Sequence, residues 1–187
     1  MIDWPVSQPT LSIDVASPRG KVVLRPLRED DIEAIFQACQ DPTISAFTRV
    51  PFPYDREMAE EFVRGSELGY RNHQSVVFAI EVDGVFAGAM DLHSINLSDH
   101  GAEIGYWMEK SFRGAGICSA AAKEILRLAI TVMKFRRIEG LADYNNLASQ
   151  RVLEKAGMTR EALLRKKVTK PNGDQIDMVL FAITEGA

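Results

Sequence analysis

Apolar residues recur at helical spacing in four parts of the chain. The first predicted helix has apolar residues at positions i, i+3, i+4 and i+7, which are Ile32, Ile35, Phe36 and Cys39. Asp41 followed by Pro42 is expected to end it, because a proline restricts the residue before it to extended backbone. Three further helices are predicted from Asp55 to about Gly69, from about Ile117 to Met133, and from Asn145 or Asn146 to Gly157.

Short apolar or alternating runs predict seven strands, at 22–27, 76–82, 85–93, 103–109, 137–142, 158–168 and 175–183. Asp83 and Gly84 predict a hairpin turn between the second and third strands, and Pro171 to Asp174 joins the last two. Pro26 suggests that the first strand is an edge strand, because proline cannot donate to a ladder. The order of elements predicts one mixed α/β domain over 21–187, after a loose N-terminal arm at 1–20.

Composition narrows the class of protein. The chain has 187 residues, 46% hydrophobic and 26% charged, which suits one globular domain. Its two cysteines, Cys39 and Cys118, have no metal-type spacing and favour a reduced, cytoplasmic setting. The net charge of −4 argues against a nucleic-acid partner. We also expect no membrane association, because no apolar run is long enough to span a bilayer.

A glycine-rich segment between a strand and a helix carries the clearest chemistry. It comprises Arg113, Gly114, Ala115, Gly116, Ile117, Cys118 and Ser119. Its two glycines let the backbone approach an anion, and the first turn of the helix offers free N–H groups and a favourable dipole. Arg113 adds a positive charge. The ligand that these features suit best is a diphosphate.

Three protein families bind phosphate groups with such a segment. The segment could also be a glycine-rich turn that merely connects the strand to the helix and binds nothing. A Walker-type loop needs Lys and Ser/Thr after its last glycine, where this chain has Ile117 and Cys118. A dinucleotide-binding loop needs a third glycine where Ser119 stands, within successive βαβ units that are not predicted here. An NADP-dependent reductase is therefore kept only as a minor alternative.

The third family is the GNAT acetyltransferases. Arg113 to Cys118 resembles their signature Gln/Arg-x-x-Gly-x-Gly/Ala, with Cys118 in the usual Gly/Ala position. The resemblance runs from about residue 22 to 183, and is strongest to the branch of ribosomal-protein N-terminal alanine and serine acetyltransferases. It rests on the segments Leu24–Leu27, Glu103–Trp107, Asn145–Ser149 and Val152–Met158.

This resemblance implies a mixed, mostly antiparallel seven-stranded sheet, flanked by about four helices and splayed between strands 4 and 5. It implies that acetyl-CoA lies in that opening and gives its acetyl group to a primary amine by direct attack in a ternary complex. The amine would belong to a protein N-terminus or a small molecule. A non-catalytic acyl-CoA-binding module is the main alternative, and the oligomeric state, a homodimer included, is left open.

The resemblance also implies roles for individual residues. Glu103 is the candidate general base, and the N–H near Met108 is the candidate oxyanion donor. Asn145 is expected to bind the pantetheine or thioester region. The tyrosine with which many relatives protonate the thiolate is replaced by Leu153, and Ser149 is the candidate substitute. Together with Arg113 to Ser119, these residues form the predicted site.

We expect the histidines and Cys118 to have no catalytic or metal-binding role. His73, His93 and His100 are scattered, so we expect surface or loop histidines and no metal site. Cys118 lies at a helix N-terminus, where a thiol can become nucleophilic, but no histidine lies near it in sequence. We expect Cys118 to be a small packing residue beside the cofactor.

Overall fold

The structure is a computed structural model that describes residues 2–13, 20–170 and 173–186. Its described part contains one eight-stranded sheet, in the order β1-β2-β3-β4-β5-β6-β8-β7, and five α-helices. The strands are β1 (Leu11–Ile13), β2 (Val22–Pro26), β3 (Val76–Val82), β4 (Val85–Asn96), β5 (Gly101–Met108), β6 (Arg137–Asp143), β7 (Thr159–Thr169) and β8 (Gln175–Thr184). The helices are α1 (Ile32–Ala38), α2 (Pro42–Phe47), α3 (Arg56–Arg71), α4 (Ile117–Arg127) and α5 (Leu147–Lys155).

Strands β5 and β6 are parallel neighbours, whereas the other neighbouring strands are antiparallel. Their pairing covers Gly101–Ile104 and Arg137–Gly140 and ends there. The remaining ends of the two strands diverge, which opens the sheet on the side of α4 and α5. The predicted mixed sheet and its splay are confirmed, because β5 and β6 are the fourth and fifth strands of the sequence analysis.

The two faces of the sheet have separate apolar cores. On one face, Ile117 and Ile125 of α4 pack with Ile104 of β5. On the other face, Ile35 of α1 and Val63 of α3 belong to a second cluster, against which Trp107 packs. The alternation along β5 therefore puts Ile104, Tyr106 and Met108 on the α4 face, and Glu103, Gly105 and Trp107 on the α1/α3 face.

The eighth strand corrects the predicted count. Leu11–Ile13 pairs with β2, so β2 is not the edge strand that Pro26 suggested. Pro26 is tolerated because the pairing with β1 ends at Leu24, two residues earlier. The described part of the N-terminal arm is packed and not loose, since the Tyr70 hydroxyl donates to the Pro5 carbonyl at 2.7 Å.

The fifth helix, α2, arises where the sequence analysis predicted only a stop. Helix α1 ends at Ala38, and Asp41 caps α2, because its carboxylate accepts the Thr43 N–H at 2.9 Å. Pro42 occupies the first turn of α2, where its missing N–H costs no hydrogen bond. The Asp-Pro pair therefore begins a second helix shortly after α1 has ended.

The other helices lie close to their predicted positions. Asp55 and Asn146 cap α3 and α5. Gly157 follows α5 with φ +96°, which favours glycine after a helix end. The helix predicted from about 117 to 133 changes at Leu128 into a π-helical turn that ends at Val132. The turn predicted at 171–174 has its first two residues outside the described part.

A buried ion network fixes the start of α1. The Arg25 guanidinium donates to both Asp31 carboxylate oxygens at 2.7 Å and to Glu81 at 2.5 Å. Arg25 and Asp31 are both buried. The segment Leu24–Leu27, followed by acids, thus ties β2 and β3 to the turn that precedes α1.

Candidate functional site

Backbone groups of β5 face the opening in the sheet. The Glu109 N–H donates to the Ala87 carbonyl at 2.9 Å, which makes Gly88 and Met108 a non-hydrogen-bonded pair. The N–H of Met108 therefore points away from β4 and towards β6. Two residues earlier, Tyr106 has the same orientation. Because β5 and β6 have already diverged here, these groups face the opening and not a neighbouring strand.

Strand β6 presents its own backbone from the opposite side. The Tyr144 N–H donates to the Asp177 carbonyl at 3.0 Å, so Asp143 and Met178 form a non-hydrogen-bonded pair. The peptide group of Leu141 and the N–H of Asp143 then face β5, whereas the Asp143 carbonyl accepts the Asn146 N–H at 2.8 Å. An extended ligand can lie between the two strands and hydrogen-bond like an added strand.

The glycine-rich segment lies directly after β5 and forms an open backbone turn. Gly114 and Gly116 have φ values of +77° and +79°, a region that side chains disfavour. An added Cβ at either glycine would have no heavy atom within 4 Å, so the turn faces open space. The Ala120 N–H donates to the Gly116 carbonyl at 3.1 Å and makes the first hydrogen bond of α4. The N–H groups of residues 117–119 precede this donor, so they have no carbonyl of the same helix to bind.

The structure places Arg113 differently from the sequence expectation. Its Nε donates to the Met108 carbonyl at 2.9 Å, and one terminal nitrogen donates to the Thr43 hydroxyl at 2.8 Å. The other terminal nitrogen lies 2.9 Å from Asp41 Oδ2. The guanidinium is therefore turned to α2, and Asp41 neutralises the charge that was expected to attract a diphosphate. The difference arises because α2 was not predicted.

Glu103 belongs to a charged cluster on the α1/α3 face. His93 lies opposite Glu103 in the β4–β5 register, with its Nε2 3.5 Å from Glu103 Oε1. The other ring nitrogen, Nδ1, lies 2.6 Å from Asp91 Oδ1. A Cβ on Gly105 would come within 3.0 Å of Asp91 Oδ1, so glycine leaves room for the cluster.

The cluster has strong electrostatic consequences. Hydrogen bonding to Asp91 and Glu103 raises the pKa of His93 to about 9. The hydrogen bond from His93 lowers the pKa of Glu103, and the charges of Arg49 and Lys167 lower it further. Glu103 is consequently a carboxylate at neutral pH. The expectation that His93 is a plain surface histidine is wrong, although the i,i+2 spacing of Asp91 and His93 before a predicted turn could have indicated the pair.

A second pair lies on the α4 face. The Tyr106 hydroxyl is 2.8 Å from Ser149 Oγ and 3.1 Å from the Ser149 carbonyl oxygen. Burial raises the pKa of Tyr106, so the phenol keeps its proton. The Ser149 N–H donates to Asn146 Oδ1 at 3.0 Å, so Asn146 caps α5 and the Ser149 hydroxyl is available to Tyr106. Tyr106 was not among the residues of the predicted site.

The other predicted residues occupy distinct places. Burial raises the pKa of Cys118 to about 12, which keeps it a thiol and argues against a nucleophilic role. Asn145 is exposed and lines a surface depression with Gln150 and Arg160. Leu153 is buried, and its methyl groups would lie 3.0 and 3.2 Å from a Cβ on Gly140.

The described residues contain neither a metal-type cluster nor a helix suited to a membrane. Within 2–13, 20–170 and 173–186, no group of three or more His, Cys, Asp or Glu side chains could hold a metal ion. None of the helices in those ranges combines the length and apolarity needed to cross a bilayer.

Comparisons with known proteins agree with this geometry. A family model described as an acetyltransferase (GNAT) domain matches residues 21–159, more than half of the chain. Bacillus subtilis YdaF, which carries the name of a ribosomal N-acetyltransferase, is 29% identical over 114 residues, covering 61% of this chain and 62% of that protein. That coverage is less than two thirds of the relative's length.

Two further matches extend over more of the chain. Spermidine N(1)-acetyltransferase of Escherichia coli strain K12 is 26% identical over 147 residues, covering 76% of this chain and 75% of that protein. The solved structure of Mycobacterium smegmatis RimJ in complex with CoA-disulfide has a TM-score of 0.84 at 27% identity. It covers 95% of this chain and 88% of that chain.

The raised pKa of His93 makes the stability of the fold depend on pH. A folded-state pKa of about 9, above the ordinary 6.5, means that the stabilisation is complete below pH 6.5 and is lost as pH rises through 9. We expect the free energy of unfolding to fall by about 1–2 kcal/mol over this window, since the ring is partly exposed. Urea unfolding of the wild type at several pH values measures the loss.

His93→Gln should remove most of this pH dependence. His100→Asn is the matched control, because His100 has φ +55°, which asparagine tolerates, and it lies in the β4–β5 turn. An unchanged pH dependence in His93→Gln would contradict the charged cluster.

Proposed function

The chain belongs to the GNAT family of acetyltransferases, and on that premise we propose that it moves an acetyl group from acetyl-CoA to a primary amine. The observation that carries this proposal is the divergence of β5 and β6 beside an open glycine turn. The divergence offers unpaired backbone to an extended pantetheine arm, and the turn offers N–H groups to a diphosphate. The likeness to RimJ, solved in complex with CoA-disulfide, supports the same ligand here.

The cofactor is proposed to bind through backbone more than through side chains. The N–H groups at Gly114 to Ser119 would hold the diphosphate, as the sequence analysis proposed. The peptide group of Tyr106 would pair with the pantetheine arm, and the Met108 N–H would face the thioester, since the Met108 carbonyl accepts from Arg113. Arg113 is not needed as a phosphate ligand in this arrangement, because its guanidinium is engaged by α2.

The amine is proposed to approach from the opposite face, over Glu103. A primary amine is largely protonated at neutral pH, with a reference pKa of about 8 for an α-amine and about 10 for lysine. The Glu103 carboxylate attracts the ammonium form. Because its pKa is lowered, Glu103 is suited to pass the proton on to water and not to retain it.

The neutral nitrogen then attacks the thioester carbonyl carbon, and the oxyanion that forms is stabilised by the Met108 N–H. When the carbon–sulfur bond breaks, the nitrogen releases a proton to water as the amide forms, and the thiolate takes a proton from a donor that water then reprotonates. We assign this proton to the Tyr106 hydroxyl, which burial keeps protonated, and give Ser149 the role of orienting it at 2.8 Å. Tyr106 would thus take over the role of the tyrosine that many relatives have at the position of Leu153.

The alternatives differ in what they leave unexplained. A reductase would need successive parallel βαβ units, whereas β5–β6 is the one parallel pair among the described strands. A non-catalytic CoA-binding module would not need Glu103 and Tyr106 on opposite faces of the opening. The name of YdaF suggests a ribosomal protein as acceptor, and that of the spermidine enzyme suggests a polyamine. Of these two, we propose a protein N-terminus as the acceptor of this chain.

Gly116→Ala tests the cofactor turn. Both Gly116 and Gly84 have positive φ, +79° and +82°, and a Cβ at either meets no heavy atom within 4 Å. Each alanine should therefore cost about 1 kcal/mol of stability through backbone strain. Only Gly116→Ala places a methyl group towards the proposed diphosphate.

We expect CoA to raise the melting temperature of the wild type and of Gly84→Ala but not that of Gly116→Ala, because a ligand stabilises only the state that it binds. Thermal unfolding with CoA and with NADPH measures this difference. Equal stabilisation of both variants by CoA would place the ligand elsewhere, and stabilisation by NADPH alone would favour the reductase.

Glu103→Gln tests the acceptor side. Loss of a positioned proton acceptor should lower kcat by about 10²–10⁴-fold. The CoA-induced rise in melting temperature should be unchanged, since Glu103 lies on the other face of β5. A free-thiol assay with acetyl-CoA, N-terminal peptides and spermidine measures turnover, and Glu61→Gln on the exposed side of α3 is the control.

Thiol release with spermidine and none with peptides would overturn the preferred acceptor. Normal CoA binding without turnover of any amine would instead support the non-catalytic module.

Tyr106→Phe tests the proposed acid, because it keeps the ring and removes the hydroxyl. We expect kcat to fall by at least about 10-fold, with the acetyl-CoA affinity retained. Tyr144→Phe, at a tyrosine whose side chain is half exposed, should leave kcat unchanged. A wild-type kcat in Tyr106→Phe would show that the thiolate leaves without this acid.

A further inference from the structure

Helix α2 is held at both ends by parts of the chain that are distant in sequence. Arg113, from the turn after β5, contacts its first turn through Thr43 and the capping Asp41. Lys170, at the end of β7, donates from Nζ to the Ala46 carbonyl at 3.0 Å. A six-residue helix is too short to be stable on its own, so its position depends on such contacts.

We propose that Arg113 is a positioning residue that fixes α2 as a wall of the acceptor site, and that it acts on the acceptor and not on the cofactor. The inference rests on the proposed function, because it assigns the acceptor to the α1/α3 face. It goes beyond that function by giving a residue of the glycine turn a role in acceptor recognition.

The contacts of Arg113 support a bridging role. Its three nitrogens each contact a different group, namely the Met108 carbonyl, the Thr43 hydroxyl and the Asp41 carboxylate. A planar guanidinium can hold three such groups in one fixed arrangement, whereas the lysine ammonium is a point charge. The same side chain therefore joins the end of β5, where the oxyanion donor lies, to the start of α2.

The residues at and after the end of α2 explain why binding of the acceptor would depend on where α2 lies. Arg49 lies three residues before Phe52 and close enough to Glu103 for its charge to lower the pKa of that carboxyl. Phe47 and Phe52 are large apolar side chains that are 45% and 56% exposed. A shift of α2 would move this charged and aromatic edge relative to Glu103.

The electrostatics argue against a phosphate role for the same side chain. Asp41 lies 2.9 Å from the guanidinium, and the pKa of Asp41 is lowered by the hydrogen bond from the Thr43 N–H and, to a smaller extent, by the charge of Arg113. An anion that approached Arg113 would meet this carboxylate as well. The diphosphate is better served by the backbone N–H groups of the turn.

Arg113→Gln and Thr43→Val test the proposal by two routes. The first route needs no turnover: amide hydrogen exchange of residues 43–48 in the wild type and in both variants, with Arg127→Gln as the control. Arg127 is an exposed arginine on α4 that pairs with Glu124. We expect faster exchange in α2 for both test variants and no change for the control.

The second route is steady-state kinetics with the amine that the wild type uses. We expect the acceptor KM to rise at least about five-fold in Arg113→Gln, the low end of ordinary coupling between sites, while the acetyl-CoA KM changes less than about two-fold. Thr43→Val should shift the same parameter in the same direction. Arg113→Lys should not restore it, because a lysine cannot hold all three partners.

The outcomes separate this inference from the proposed function. A raised acetyl-CoA KM in Arg113→Gln that Arg113→Lys restores, with unchanged exchange in α2, would make Arg113 a phosphate ligand and overturn the proposal. Unchanged exchange and unchanged acceptor KM in both variants would overturn it as well. A wild type that releases no thiol from acetyl-CoA counts against the proposed function, whereas the exchange result still decides whether Arg113 positions α2.

Discussion

The short parallel pairing of β5 and β6 is the constraint on which the rest of the structure depends. It joins the two parts of the sheet over four residue pairs and ends at Ile104 and Gly140. Beyond that point each strand keeps its other neighbour, so its free backbone groups are held in place although nothing in the sheet pairs with them. Rigid strands with an unpaired edge are a suitable surface for an extended ligand.

Much of the fold could be predicted because it follows from local patterns. Alternation along β5 assigned Glu103 and Met108 to opposite faces, and the asparagine and glycine signals at Asn146 and Gly157 bounded α5. The two exceptions have the same origin. The three residues of β1 and the six of α2 are too short to carry a period, and contacts with β2 and Arg113 decide their conformation.

The candidate site was less accessible to sequence reasoning. The glycine turn is continuous in the chain, so its open conformation could be inferred from composition. The environment of Arg113 could not, because Asp41 and Thr43 lie about 70 residues earlier. The surroundings of His93 and Tyr106 were missed for the same reason, since each side chain contacts a partner on another element, Glu103 or Ser149.

The Asp91–His93–Glu103 cluster projects from two adjacent strands, whereas the charges of Arg49 and Lys167 that act on Glu103 come from the loop after α2 and from β7. A paired hairpin tolerates little change, but loops and short helices accept substitutions and insertions readily. If the acceptor lies over this cluster, as we propose, substitutions in the loop can change which amine is selected while the cluster itself stays constant. A constant cluster beneath variable loops offers a physical reason why relatives of this chain are named for acceptors as different as a ribosomal protein and a polyamine.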